Sequence, residues 1–317
     1  IITMKKKNIT LAIDVGGTQM RVAAFPIDQT DPIRQKRMKT YADGETSLQR
    51  LIQLIQSIKD DDEIIDAIGI AAPGPLDPKT GIILAAPNLP EWNGVSITDL
   101  VHDEIGAPAY LGNDANLAAV GEWRYGAGQG HHHLIYLTIS TGIGGGVICD
   151  DHLLLGWHGL GAELGHTIIL PDGPMCGCGQ RGHVEAISSG TGIAKYVAEQ
   201  LADGRKSILN GKPDAKAISQ AAKQGDELAK ETFERAGYYL GLALSNFLAI
   251  FNPSIIIFGG GVSQAGDLLF EPMNKAMQET VLSEHYLEDL IITQAALGDN
   301  AGLYGALALA RGVLPKS

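Results

Sequence analysis

Four side chains of the kind that bind transition metals lie within one short stretch of the sequence. They are His166, Cys176, Cys178 and His183. Two thiolates and two imidazoles form a ligand set that suits a tetrahedral zinc ion. The Cys-x-Cys spacing is tighter than that of a usual zinc finger, but the glycines between these residues would let the chain wrap around the ion. The sequence therefore predicts a zinc site, and the alternative is a flexible glycine loop with incidental thiols.

Two glycine-rich turns could bind phosphate. One is Asp14-Val15-Gly16-Gly17-Thr18, and the other is Ser140-Thr141-Gly142-Ile143-Gly144-Gly145-Gly146. Their backbone N–H groups are phosphate donors, and the Asp14 carboxylate could hold the metal ion of the phosphate. Two such turns could grip one polyphosphate across a cleft, whereas the alternative for each is a tight or capped hairpin turn. Each turn leads back into a strand, so a Rossmann site fits poorly, and the sequence has no Walker A pattern or protein-kinase motif set.

Asp114 lies in Gly112-Asn113-Asp114-Ala115-Asn116, where a predicted strand meets a predicted helix. An isolated aspartate at such a junction commonly caps the helix by accepting backbone N–H groups. At the carboxyl end of a strand it could instead take a proton from a bound hydroxyl group. The sequence leaves both interpretations of Asp114 open.

The apolar periodicity predicts an α/β architecture that would position these motifs. Strands are expected at residues 10–15, 20–25, 64–72, 109–112, 134–140, 147–155, 254–258 and 291–296, and helices at 48–58, 115–125, 194–201, 226–250 and 301–312. The first two strands form a hairpin around Gly16–Gly17, and a similar hairpin recurs around a glycine turn at residues 141–146. This repeated layout predicts an internal duplication of one α/β unit, with a boundary near Gly121.

The charge and composition exclude several classes of protein. Lys and Arg total 24 against 36 Asp and Glu, which gives a formal net charge of −12. This balance argues against broad nucleic-acid binding, which depends on basic side chains that neutralise phosphates. Three cysteines cannot form a disulfide framework, no apolar run is long enough to span a bilayer, and the N-terminus lacks the apolar stretch of a signal peptide. We therefore expect a soluble, cytoplasmic protein without nucleic-acid or membrane partners.

Seven motifs, taken in order, resemble those of the ROK family (repressors, open reading frames, sugar kinases), and most closely its glucokinase-type members. They are Asp-x-Gly-Gly-Thr at 14–18, Ala72-Pro73-Gly74-Pro75, Pro87-Asn88-Leu89-Pro90-x-Trp92, Gly112 to Asn116, Ser140 to Gly146, Glu163-x-Gly165-His166 and the Cys-x-Cys-Gly loop at 176–179. The resemblance extends from Leu11 to about Gly312, which is nearly the whole chain.

This resemblance implies an actin-like, hexokinase-type (ribonuclease H-like) fold, in which two α/β domains enclose an active-site cleft. The small domain would comprise residues 8–120 with 298–317, and the large domain residues 121–297 with the zinc loop. The implied activity is ATP-dependent phosphorylation of the 6-hydroxyl of a hexose, with glucose as the expected acceptor. Fructose, mannose, N-acetylglucosamine and N-acetylmannosamine are alternative acceptors, and a homodimer is the implied assembly.

The resemblance also implies a role for each motif residue. Asp14 would help to hold Mg²⁺, and Gly16, Gly17, Thr18, Thr141 and Gly142 would lie along the phosphates of ATP. Gly259, Gly260 and Gly261 would approach its nucleoside. The residues expected to contact the sugar are Gly74, Asn88, Asn113, Asp114, Glu163, His166 and Glu185, with Asp114 as general base.

Two features qualify the resemblance. Relatives commonly carry a third cysteine where this chain has His183, so the zinc ligands would be two histidines and two cysteines. Such a closed set leaves no position for water, so we expect structural zinc that orients His166 towards the sugar. Family repressors carry a helix-turn-helix domain before the first glycine turn, and thirteen residues before Asp14 are too few for one. A DNA-binding repressor is therefore a less favoured alternative, and the retained Asp14 and Asp114 argue against a sugar-responsive regulator without catalysis.

Overall fold

The computed structural model describes residues 7–86 and 88–313. Three parts of the sequence-based predictions lie outside these residues: the N-terminal residues 1–6, Pro87 of the Pro-Asn-Leu-Pro motif, and residues 314–317 at the end of the expected small domain. Within the described residues, no helix is both long enough and apolar enough to cross a membrane.

The first half of the chain builds one five-stranded sheet. Its strands are β1 (Lys7–Val15), β2 (Gln19–Pro26), β3 (Arg34–Lys39), β4 (Glu63–Ala72) and, after the short pair β5 (Leu76–Asp77) and β6 (Ile82–Ile83), β7 (Ala109–Asn113). The sheet order is β3-β2-β1-β4-β7, in which β1 and β2 are antiparallel and β1, β4 and β7 are parallel. Helices α1 (Ser47–Ile58) and α2 (Ile97–Ile105) bury their apolar side chains in the same core as this sheet.

The second half builds a sheet with the same plan. After helix α3 (Asp114–Tyr125), the strands are β8 (Leu134–Ile139), β9 (Ile143–Cys149), β10 (His152–Leu153), β11 (Ile255–Gly259) and β12 (Ile291–Gln294). The order is β10-β9-β8-β11-β12, and each sheet has two antiparallel pairs followed by parallel neighbours. The helices are α4 (Val184–Ser188), α5 (Gly190–Ala202), α6 (Ala215–Lys223), α7 (Glu227–Phe251), α8 (Asp267–Thr280) and α9 (Ala301–Ala310). The repeated α/β layout that the sequence predicts is thus confirmed.

Helices α3 and α9 cross at very close range, because small residues face each other. A Cβ atom added at Gly305 would lie 1.7 Å from the carbonyl oxygen of Leu117, and one added at Gly121 would lie 2.3 Å from that of Ala301. Helix α9 also lies directly on the first sheet, where a Cβ atom at Gly69 of β4 would approach the Ala306 carbonyl to 1.9 Å. The alanine-rich composition of both helices follows from this packing, which joins the two halves of the chain.

Two predicted boundaries are wrong in an informative way. The return strand of the second hairpin was expected at 147–155 after a glycine turn at 141–146, but β9 begins at Ile143. Its glycines lie inside the strand because α3 packs on them: a Cβ atom at Gly146 would lie 2.5 Å from that of Ala119. The helix expected from Ala194 begins at Gly190, whose N–H donates to the carbonyl of Ser140 at 2.8 Å.

Candidate active site

A cavity of about 910 Å³ lies where the parallel strands of both sheets end. In open α/β sheets, ligands bind outside the carboxyl ends of the strands. Twelve of the residues that the sequence analysis selected line this cavity: Asp14, Gly74, Asn113, Asp114, Thr141, Gly142, Glu163, His166, Glu185, Gly259, Gly260 and Gly261. The two halves of the chain therefore bring most of the expected phosphate-binding and sugar-binding residues together.

Four expected site residues are not part of the lining of this cavity: Gly16, Gly17, Thr18 and Asn88. The N–H of Gly16 donates to the Gln19 carbonyl at 2.9 Å, which makes the first glycine turn a tight hairpin turn. A Cβ atom at Gly17 would lie 2.9 Å from the Cβ of Asn88, so the glycine admits this side chain. The hydroxyl of Tyr41 donates to the Asn88 carbonyl at 2.7 Å.

Asp114 is the first residue of α3, at the carboxyl end of β7. Its Oδ1 atom accepts the N–H of Ala115 at 2.8 Å. Burial raises the pKa of Asp114 to about 6, and the negative charges of Asp14 and Glu163 add to this rise, whereas the bond from Ala115 opposes it. A carboxylate with this pKa is ionised near neutral pH and still basic enough to accept a proton from a substrate.

Asp14 lies at the end of β1 and pairs with Arg21, its partner across the β1–β2 hairpin. Arg21 also donates to the carbonyl oxygen of Asp299, just before α9. Sequence analysis missed Arg21, although antiparallel pairing across a short glycine turn places it opposite Asp14. A carboxylate is an oxygen ligand of the kind that Mg²⁺ prefers, so Asp14 fits the metal-binding role expected of it.

Residues of the segment that contains α4 and α5 form hydrogen bonds with the second glycine turn. The N–H of Ile143 donates to Oε2 of Glu185 at 2.9 Å, and the N–H of Thr191 donates to the Thr141 carbonyl at 3.2 Å. A Cβ atom at Gly142 would lie 2.4 Å from that same Glu185 oxygen, so only glycine fits there without a shift. This arrangement fixes the turn at the edge of the cavity.

The four expected metal ligands lie together, with one donor atom from each within 4.8 Å of the others. Nδ1 of His183 lies 3.3 Å from Nδ1 of His166 and 3.3 Å from Sγ of Cys178, and Sγ of Cys176 lies 3.7 Å from Nδ1 of His166. A tetrahedral zinc ion with bonds of about 2.0–2.3 Å separates its ligands by roughly 3.3–3.8 Å. The donor set and its spacing therefore fit zinc.

The chemistry of the cluster agrees with this fit. Burial raises the pKa of the Cys176 thiol to about 12, so a thiolate at this position needs a cation beside it. Burial, together with the neighbouring His166, lowers the pKa of His183 and keeps its imidazole neutral, as a metal ligand requires. Backbone hydrogen bonds such as Cys176 N–H to the Gln180 carbonyl (2.8 Å) link the two sides of the loop.

Several cavity residues were not found from the sequence. They are Tyr136, Thr138, Gln264, Gln294, Asp299 and Gly302. Residues 136 and 138 alternate along β8, and Ser140 of the second glycine turn follows in the same alternation, so the period of a strand could have placed them on one face. The residues after β11 and β12 gave no such signal, because their position depends on how distant strands pair.

A second cavity of about 740 Å³ adjoins the first. The two cavities share Ser140, Thr141, Gly261 and Gln264. The second is closed on its other side by residues of α5 and α6, including Lys216 and Lys223. A ligand that fills both cavities would therefore pass the second glycine turn.

Comparison with known proteins gives a consistent result. The model of the ROK family matches residues 10–313. The chain is 36% identical to a glucokinase of Thermotoga maritima over 306 residues, which cover 94% of this chain and 96% of that protein.

Two solved structures are similar over nearly the whole chain. A ROK hexokinase from Thermus thermophilus has a TM-score of 0.82 at 31% identity, covering 95% of this chain and 97% of that one. A ROK family glucokinase from Streptomyces griseus, solved in complex with glucose and AMPPNP, has a TM-score of 0.79 at 32% identity, covering 96% of this chain and 99% of that one.

Proposed function

The chain belongs to the ROK family and is a hexose kinase with the actin-like, hexokinase-type fold, and we propose that it transfers the terminal phosphoryl group of ATP to the 6-hydroxyl of glucose. The observation that carries this proposal is the position of Asp114. Its carboxylate, with a pKa near 6, lines the large cavity beside Asp14 and Glu163. In that position Asp114 can deprotonate a hydroxyl group, and Asp14 can bind the cation that accompanies the phosphate donor.

ATP binding is supported by the two adjoining cavities. We propose that the nucleoside occupies the cavity beside α5 and α6, and that the phosphates pass Gly259–Gly261, Thr141 and Gly142 to reach Asp14. The first residues of α9 line the phosphate end, where the positive end of the helix dipole favours anions. We further propose that Asp14 holds Mg²⁺, which, when bound, neutralises charge on the phosphate oxygens.

The acceptor sugar would occupy the opposite part of the large cavity. We propose that Gly74, Asn113, Glu163, His166 and Glu185 contact it, and that Asp114 orients its 6-hydroxyl and accepts the proton as the phosphoryl group transfers. Phosphoryl transfer needs mainly in-line positioning, and exclusion of water prevents hydrolysis of the donor. Asn88 and the first glycine turn would join this site when the cleft closes over the sugar.

Zinc in the His166–Cys176–Cys178–His183 cluster would be structural. All four ligands are protein groups, so we propose that the ion holds the His166 imidazole in one orientation while its second nitrogen faces the sugar. The domain division at residues 8–120 with 298–317 against 121–297, and the homodimer, are further proposals of the same kind. Light scattering of the purified chain would test the homodimer.

A coupled assay of ADP release with Mg-ATP and a panel of hexoses tests the function directly. The panel contains glucose, fructose, mannose, N-acetylglucosamine and N-acetylmannosamine. Turnover with glucose well above the others supports the proposal, and preference for another hexose keeps the mechanism but changes the acceptor. Absence of turnover across the panel, with intact AMPPNP binding, would overturn the proposed catalysis.

A further inference from the structure

The Arg21 guanidinium is bound at two places on the wall of the large cavity. It pairs with Oδ2 of Asp14, and its Nη2 atom donates to the carbonyl oxygen of Asp299 at 2.5 Å. Both charged side chains are largely buried, with 16% of Arg21 and 19% of Asp14 exposed. Arg21 itself does not line the cavity, whereas both of its partners do. It therefore acts on the cavity only through the groups that it holds.

The second partner belongs to the segment that connects β12 with α9, residues 295–300, here called the crossover segment. Glu122 of α3, which is fully buried, holds the same segment from the other side. Its carboxylate accepts the N–H of Ala296 at 3.1 Å and that of Leu297 at 2.8 Å. A basic and an acidic side chain thus fix the crossover segment, which contributes Ala295, Gly298 and Asp299 to the cavity wall.

The two bonds of Arg21 also determine how the Asp14 carboxylate is oriented. Arg21 binds Oδ2, and a Cβ atom added at Gly302 of α9, which also lines the cavity, would lie 3.3 Å from Oδ1 and 3.5 Å from Oδ2. A carboxylate bonded through one oxygen to a guanidinium that is itself bound to a backbone carbonyl has little rotational freedom. The Asp14 carboxylate is therefore held in one orientation at the cavity wall.

We propose that Arg21 is a positioning residue for phosphoryl transfer: it locks Asp14 and the crossover segment together, which holds the Asp14 carboxylate in the orientation in which it would bind the divalent cation of the donor. This rests on the proposed function, because it assumes that Asp14 serves that cation. The opposite effect, in which Arg21 competes with the cation for Asp14, is an outcome that the test separates.

The test measures binding of AMPPNP with and without Mn²⁺, using calorimetry on the full chain. Loss of a group that orients a metal ligand typically lowers metal affinity by about 10-fold to 100-fold. We expect Arg21→Met to weaken Mn·AMPPNP binding by about that factor, with little change in the binding of metal-free AMPPNP or of glucose. Arg21→Lys, which keeps the charge, should recover part of the loss.

Arg34 provides a matched control, since it also joins a carboxylate and a carbonyl on the same sheet. It pairs with the buried Glu63, and its Nε donates to the carbonyl of Ile58 at 3.0 Å, away from the cavity. Arg34→Met should lower the Tm without changing the ratio of metal-bound to metal-free AMPPNP affinity. An unchanged or increased ratio in Arg21→Met, or an equal loss in Arg34→Met, would overturn the role of Arg21.

Failure of the proposed function gives a different result. A wild-type chain that binds Mn·AMPPNP but phosphorylates no hexose refutes the kinase proposal, and the effect of Arg21 on metal-dependent binding can still be measured. A wild-type chain that shows no Mn·AMPPNP binding overturns both. The binding measurement with and without Mn²⁺ therefore tests the positioning role of Arg21 without relying on turnover.

Discussion

Asn113 and Asp114 are adjacent residues that perform different tasks at the start of α3. Oδ1 of Asn113 accepts the N–H of Ala115 at 3.0 Å and that of Asn116 at 3.1 Å, so Asn113 caps the helix. Asp114 begins the helix and lines the cavity. The sequence left open whether Asp114 caps the helix or serves as a base, and in the structure Asn113 is the N-cap while Asp114 shares only the N–H of Ala115 with it.

Replacing Asp114 with Asn should therefore affect the chemistry more than the fold. Because Asn113 retains the cap, we expect the Tm of Asp114→Asn to stay close to that of the wild type. General-base assistance is typically worth about 10²–10⁴-fold, so kcat should fall by about that factor. Calorimetry should show that glucose binding persists. Near-normal turnover would remove Asp114 from the mechanism.

Asp267 offers a control for this substitution, because it is also the first residue of a helix. It begins α8 and is exposed, away from the cavity. Asp267→Asn removes the same charge from the same position in a helix, so kcat should remain that of the wild type. A comparable fall in both variants would indicate a general effect of charge rather than a role for Asp114.

The raised pKa of Asp114 predicts the acid limb of the pH profile. A general base acts in its ionised form, so kcat/KM should fall as the pH drops through about 6, by about tenfold per pH unit below it. An exposed aspartate would place this limb near pH 4. Since the negative charge of Glu163 contributes to the rise, the limb should move to lower pH in Glu163→Gln. A wild-type limb near pH 4 would contradict the buried position of Asp114.

Local patterns in the sequence were sufficient for the parts of the fold that depend on neighbouring residues. Three features all follow from residue types at short spacing: the β1–β2 hairpin around Gly16–Gly17, the strand that ends before Asp114 and the grouping of the four candidate metal ligands. The prediction for the second hairpin was wrong at the start of β9, because the glycines that were expected in the turn lie inside the strand. Gly144 and Gly146 are required by Ala115 and Ala119 of α3, which lie on top of them.

The missed site residues have the same origin. Asp299 reaches the cavity because β12 pairs with β11, a contact between segments far apart in the chain. Asn88 was selected from its motif, but its contact with Gly17, which forms through a loop that folds back on the first glycine turn, was not predicted. Such long-range packing leaves no mark on the local spacing of residue types, whereas the pairing of Arg21 with Asp14 could have been read from the hairpin register.

The metal cluster predicts zinc in the purified chain. Metal analysis should find about one zinc ion per chain, and Cys176→Ser should lose it, since four closely placed donors are needed for a structural site. Cys149, a thiol outside the cluster, provides the control: Cys149→Ser should retain the ion. His183→Cys, which adds a third thiolate, should bind zinc as well, with an altered affinity.

Removal of zinc should affect the sugar more than the donor. If the ion orients His166, the stripped chain should show a higher KM for glucose and a lower Tm, with a smaller change in the KM for ATP. At saturating glucose much of kcat should remain. An unchanged KM for glucose together with a collapsed kcat would contradict a positioning role and would indicate that the metal takes part in the reaction.

Gly305 and Gly261 are glycines for different reasons: we expect the first to be required for packing of the fold and the second for binding of the donor. Gly305 of α9 has no space for a side chain, since a Cβ atom there would lie 1.7 Å from the Leu117 carbonyl, a backbone atom that cannot rotate away. Overpacking typically costs about 1–3 kcal/mol and sometimes more. We therefore expect Gly305→Ala to lower the free energy of unfolding by at least the upper part of that range, as measured by chemical denaturation.

Gly261 presents the opposite case. A Cβ atom there meets nothing within 4 Å, and its φ of −69° suits any residue, so the fold does not explain the glycine. It lines both cavities, where we propose that the nucleotide passes. Gly261→Ala should therefore keep the wild-type stability but raise the KM for ATP, because an added methyl group occupies space that the donor needs. Normal ATP kinetics in Gly261→Ala would show that the donor takes another path, since the comparison with Gly305→Ala already accounts for the effect of a methyl group on folding.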